Sequence, residues 1–263
     1  MRLKYYVKLW NSYMRIGILT MAQYPADTII WIISMLIREA SGFIGILAIV
    51  GISGEMGSWN LYEICMLFSM CAIIEGIGQI FFDNVWVISS VIRYGEMDIF
   101  LTRPASPFIQ MLGQRMRFPA MFSIIIYISI FIWSVNQINL EFKNTDYILL
   151  LEYLICGTII NSGIYAIFNS FNFWIIQGDD IAVLIQTCRE FVKYPLNLFP
   201  NAIQGVFTYI IPLGFVGYFP ASKLLDKTDQ SIEIILPIVT LLVGIVASIL
   251  WRLGIKGYNS TGT

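Results

Sequence analysis

Long apolar runs recur along this chain, and no other feature restricts its fold as much. A helix that crosses the hydrocarbon core of a bilayer needs roughly 20 mostly apolar residues. Residues 28–51, 60–82, 118–137, 147–175 and 232–251 are each long enough. Of the 263 residues, 57% are hydrophobic and 13% charged, against about 45–50% and about 25% in soluble domains. A water-soluble fold has no interior large enough for that surface, so lipid covers it.

The stretch 180–217 holds one further crossing of about six in total. It is interrupted by Arg189, Glu190 and Lys193 and by Pro195, Pro200 and Pro212. Two paths are open: a span at 180–196 followed by a re-entrant hairpin, or an interfacial helix followed by a span at about 197–216. Both leave the termini on one side. The first 25 residues do not read as a signal peptide, because Arg2, Lys4, Lys8 and Arg15 interrupt the apolar residues. Leu3, Val7, Trp10, Met14 and Ile18 fall on one side of a helix, with Lys4, Lys8, Asn11 and Arg15 on another. That is the pattern of an interfacial helix. Pro25 ends it, and Asp27 or Thr28 is expected to cap the next.

Loop charge sets the orientation. The N-terminal arm, the loop at 93–117 and the tail after 251 carry ten Lys or Arg residues, and the opposite loops carry Lys143, Lys223 and Lys227. The positive-inside rule puts both termini in the cytoplasm. A net charge of −1 argues against a nucleic-acid partner. The four cysteines, at 65, 71, 156 and 188, form no CxxC pair and read as packed thiols.

Most reactive groups of an enzyme are missing. There is no histidine, which removes zinc-protease helices and Ser–His or Cys–His dyads. Gly51-Ile52-Ser53-Gly54 is similar to the nucleophile turn of rhomboid proteases, yet lacks its histidine partner. Gly178-Asp179-Asp180 is similar to intramembrane aspartyl protease motifs, without their preceding glycine. No GxxxxGK[ST] loop exists, so ATP is not hydrolysed by this chain alone. No catalytic residue and no metal ligand set is expected.

What remains is polar groups inside the spans. Glu75, Gln79 and Asp83 share one face of the second helix; Asn161, Tyr165 and Asn169 do so on the fourth. Such residues face protein or water. They line a substrate path or an interface with a second membrane subunit, or they act as interhelical hydrogen-bond glue. Arg38 and Glu39 sit near the middle of the first span and need partners, with Glu75 a candidate for Arg38. That pair is structural, or it belongs to a proton relay.

The loop at 93–107 contains a short helix from Glu96 to Leu101 that Pro104 stops. Its apolar residues, Phe100 above all, suit insertion into a soluble partner or contact with the lipid surface. The pattern I-R-x-G-x-x-D-x-x-L-x-R-P from Ile92 to Pro104 resembles the segment after the second helix in type 2 ABC transporter permeases, most of all the branch long catalogued as of unknown function. Two further signatures agree in order. Tyr194-Pro195-Leu196, Phe199-Pro200, Ile211-Pro212, Phe219-Pro220-Ala221 and Leu224-Leu225 resemble the family's proline-rich region, and Gly254, Tyr258 and Ser260 its G-x-x-x-Y-x-S tail. Gly257 and Asn259 depart from that tail, which leaves only its contacts open.

The resemblance implies an all-α permease of about six spans in the cell membrane. It would have an N-terminal elbow helix (1–25), a cytoplasmic coupling segment (93–107) and a re-entrant extracellular region (194–230). It would pair with a second permease, identical or homologous, and dock on two ATPase subunits that carry ATP and Mg. Arg93, Gly95, Glu96, Asp98, Phe100, Leu101, Arg103 and Pro104 would form the ATPase contact. Export is implied, of peptides, antibiotics or other amphipathic compounds. The competing functions are an ion-coupled secondary transporter or channel, an intramembrane enzyme, and a non-transporting immunity or sensor protein. No internal repeat supports the first of these.

Overall fold

A computed structural model describes residues 2–175 and 179–258. The described residues are helical, apart from short connections and one isolated bridge between Met56 and Trp59. Among them twelve α-helices run in order: α1 (Arg2–Gln23), α2 (Pro25–Ser53), α3 (Leu61–Phe82), α4 (Ile88–Arg93), α5 (Glu96–Thr102), α6 (Pro107–Gln114), α7 (Ala120–Ile138), α8 (Asn144–Ser170), α9 (Asp179–Glu190), α10 (Asn201–Gly205), α11 (Tyr218–Leu224) and α12 (Ile232–Gly257). Among the described residues five rods are long and apolar enough to cross a membrane: Pro25–Gly51, Leu61–Arg93, Ala120–Ile138, Asn144–Phe173 and Ile232–Gly257. The chain is an all-α membrane protein.

The second rod is the axle. In its most apolar window 83% of residues are buried, against 17% in the first rod. It packs along α7 and α8, α8 packs along α12, and α2 leans on the outside against α3 and α7. Its start is fixed by a capping box: the Glu63 amide donates to Asn60 Oδ1 (2.9 Å) and the Asn60 amide to Glu63 Oε2 (2.7 Å). Gly76 lets α7 approach, since a Cβ there would sit 2.5 Å from Ile124. A 3₁₀ turn at Asp83–Val87 bends the rod without ending it. Followed to Arg93, the 33 residues extend roughly 50 Å along their contour at about 1.5 Å per residue, more than the roughly 30 Å hydrocarbon core. The rod is therefore longer than a perpendicular crossing needs.

Two local expectations change. The second helix begins at Pro25, in the first turn where its missing N–H costs nothing, so Asp27 and Thr28 lie inside the helix. No sixth long helix forms in 180–217. Helix α9 and a 3₁₀ turn end at Lys193; short turns follow at Leu196–Leu198, Asn201–Ile210 and Leu213–Val216. One continuous helix over 197–216 is excluded by the break at Ile211 and Pro212, where a proline lacks the amide a helix needs. The pieces pack into the end of the bundle: Leu196, Phe207, Leu213, Phe215 and Ala221 are buried. Lys227 closes that end, bonding Glu63 and the Ser58 carbonyl (both 2.7 Å) over the Trp59 ring.

Candidate functional site

The polar residues of the spans converge on the axle. Glu75, 6% exposed, accepts from Arg38 Nη2 (3.2 Å) and Gln79 Nε2 (3.1 Å) on one oxygen, and pairs directly with the buried Arg189 on the other. Arg189 also reaches the Tyr165 hydroxyl (3.3 Å). Glu39, equally buried, accepts from Arg38 (3.0 Å) and from Lys193 Nζ (3.1 Å), and Lys193 in turn pairs with Glu190 (2.9 Å). Three carboxylates thus meet three cations in one neutral network drawn from α2, α3 and α9 with its following turn. Burying so many charges is tolerable only when each is paired and hydrogen-bonded. The interior ends of the network are sealed, while Arg38 and Glu190 are about half exposed at their side chains (46% and 50%).

Arg189, Glu190, Lys193 and the role of Glu39 are the part that reasoning from sequence missed. A signal was present: apart from Arg38, Arg189 and Lys193 are the only Lys or Arg residues in neither set of loops. Their spacing of four puts them on one face of a helix.

Beside the network lies a cavity of about 390 Å³, lined by Arg38, Glu75, Gln79, Asp83 and the rings of Trp31 and Trp86 among others. The three polar residues of the second span therefore do share a surface, although α3 gives way to the 3₁₀ turn at Asp83. Asp83 is held by Arg117 (2.7 Å) and Arg115 (3.0 Å), two of the cations counted in the loop at 93–117. On the other side of Glu75 a gap of about 10 Å³ is walled by Asn161, Tyr165 and Arg189, with Trp86 stacked on Tyr165 at 3.8 Å. Asn161 and Tyr165 thus join the network's edge. Asn169 lies two turns beyond Asn161, fully buried and lining neither space, and its amide atoms have no partner among the described residues.

The segment after the axle turns sharply at Gly95, whose φ of +71° favours glycine. Helix α5 follows and stops at Thr102, because Arg103 takes the extended conformation that Pro104 imposes on its predecessor. Phe100 is not presented to a partner. It is 3% exposed and Met97 is fully buried, one helical turn apart on the face that packs into this chain. Gln110 ties the segment down by donating to the carbonyls of Phe100 (3.1 Å) and Ala105 (2.7 Å). Arg93, Tyr94, Ile99, Leu101, Arg103 and Pro104 are exposed instead; Glu96 and Asp98 are intermediate. Asp98 lies beside Tyr258 of the tail. Burial first, and then that carboxylate, raise the Tyr258 hydroxyl above the ordinary phenol range. Gly254, one turn earlier, lies against the Phe173 ring. Gly178, Asn259 and Ser260 lie outside the described residues. No metal-binding group of three His, Cys, Asp or Glu residues occurs among those described.

No protein of curated function and no solved structure matches the chain significantly. The profile of the ABC-2 family transporter proteins matches residues 36–262. That span takes in the axle, the network, α5 and the proline-rich pieces, and the chain belongs to the ABC-2 family of transporter proteins.

Proposed function

We propose that this membrane subunit of an ABC transporter works as an exporter in the cell membrane, paired with a second permease and driven by a separate ATPase on the cytoplasmic side. The observation that carries the reading is α5. It directly follows the longest rod, anchored inward by Met97 and Phe100, with Ile99 (50%) and Leu101 (42%) turned outward between Arg93 and Arg103. A surface of two aliphatic side chains flanked by arginines suits a groove on a soluble subunit. Because its anchor is the chain's own core, force on α5 passes directly to the axle.

The path for substrate is assigned to the face bearing the 390 Å³ cavity. Arg38 and Glu190 are half exposed within a lipid-embedded bundle. A charge there must meet water or another protein chain, since a charge in mid-bilayer costs at least roughly 2.5–3.5 kcal/mol. Indole rings, amides and balanced charge suit amphipathic cargo such as peptides. The charge bias of the loops supports cytoplasmic termini.

Affinity purification of the tagged chain in mild detergent tests the reading. A stoichiometric ATPase is expected, with one or two permease chains. A chain that purifies alone in several detergents overturns it and favours an ion-coupled carrier, for which the Glu39–Glu75–Glu190 network would be the coupling group.

A further inference from the structure

Next to the small gap at the network's edge, with which it shares Phe82, Val85 and Ser162, lies a larger space of about 600 Å³. Four parts of the fold line it: the end of α3 with the following 3₁₀ turn (Phe82 and Val85), the start of α6 (Ser106 to Phe108), α8 and α12. Small residues line its floor, Gly163 and Ala166 from α8 and Gly244 and Ala247 from α12. A Cβ added at Gly244 meets nothing within 4 Å, so the floor is open there. Trp251, 7% exposed, closes part of one end, held edge-on by Phe108 (5.1 Å) and Phe173 (5.4 Å).

Charge is confined to one end. Arg252 and Lys256 line the mouth one helical turn apart, both exposed, with Ser106 across from them. No carboxylate lines the space, and neither cation forms an ion pair among the described residues. An apolar slot ending in unpaired cations at the last turn of a spanning helix matches a molecule with an apolar tail and an anionic head. Basic pockets between spanning helices on the cytoplasmic side bind such headgroups. A helix from another chain fits less well, being about 10 Å across with its side chains while four parts of the fold already line a space of about 600 Å³.

We propose that this groove holds one anionic phospholipid of the cytoplasmic leaflet, an acyl chain along Gly163 and Gly244 and the phosphate at Arg252 and Lys256. The leaflet rests on the orientation given under Proposed function; the occupancy does not. Ser106 and Pro107 end the coupling segment and Phe108 follows it, so the lipid forms part of the wall that holds that segment in place.

The test is native mass spectrometry of the complex released from nanodiscs made of phosphatidylglycerol and phosphatidylcholine in equal amounts. Wild type is expected to retain phosphatidylglycerol about thirty-fold over phosphatidylcholine, as two cations at an anionic headgroup predict. Arg252→Gln with Lys256→Gln should bring the ratio close to one. Lys4→Gln with Lys8→Gln, which removes the same charge elsewhere, should leave it unchanged. Gly244→Leu fills the open floor and should lose both lipids with its melting temperature kept. Should that variant fail to fold, the charge pair and its control decide alone. Equal retention of the two lipids by wild type, or an unchanged ratio in the Arg252 and Lys256 double variant, overturns the proposal. So does efficient cross-linking of a second copy through Gly244→Cys. A C-terminal reporter found outside the cell overturns the leaflet and the coupling geometry together, while the retention ratios still report on occupancy.

Discussion

Glu75 satisfies three donors with two oxygens while 6% exposed, and the energetics of such a residue are asymmetric. Removing Arg189 leaves a buried carboxylate with only half-exposed Arg38 and Gln79 to hold it, and breaking a buried pair costs about 3–5 kcal/mol. Arg189→Ala is therefore expected to lower the melting temperature of the purified chain sharply. Arg189→Gln combined with Glu75→Gln should recover part of that loss, because no uncompensated charge is left; additive losses in the double variant would show that the pair is not coupled. Glu75→Gln should also disturb transport or permease assembly more than Phe82→Leu, and equal small effects would leave the residue as packing glue. The contact between Arg38 and Glu75 was legible in the sequence, since both lie midway along apolar runs and need partners. The contacts of Arg189 and Lys193 were not: they bridge 114 and 154 residues from a stretch whose prolines hide its helix.

Helix α5 shows what pattern alone misreads in an element. Its aliphatic and aromatic residues were legible as anchors, but seven residues are too few to tell which face the parent chain takes. Phe100→Ala is expected to destabilise the chain itself by about 3–5 kcal/mol, as an aromatic truncated in a packed interior does. Ile99→Asp with Leu101→Asp should instead leave melting intact and abolish stimulation of the ATPase by substrate. If the second variant still couples normally, this face does not dock. The N-terminal helix gives a second test. Tyr13 lies directly against Gly113 of α6, Gly17 leaves room for the Phe118 ring, which a Cβ there would meet at 2.7 Å, and the Tyr6 hydroxyl accepts from the Ser106 amide (3.3 Å). Gly113→Leu should displace α1 and expose its junction with α2 to protease, with the bundle still folded. The five long rods begin within about three residues of the sequence runs, because length and apolarity alone define them. The 3₁₀ turn that carries the axle on to Arg93 has no such signature.

For the molecule as a whole, the loop cations predict that a fluorescent reporter fused after Thr263 shines and that one requiring export to fold stays dark. The reverse pattern would invert the bundle and separate α5 from any cytoplasmic ATPase. The orientation rests on ten cations against three in the loops, whereas the remaining three are spent inside the network, and this division has a consequence during synthesis. Helix α2 brings Arg38 and Glu39 into the membrane, and α3 brings Glu75, long before the ribosome has made Arg189 or Lys193. At roughly 5–20 residues per second, Glu75 waits on the order of ten seconds for its counter-ion. Throughout that interval the first spans carry unmatched charge and must stay sheltered by the insertion machinery. A nascent chain halted before α9 should accordingly remain bound there or be degraded, and released intact only once α9 has emerged.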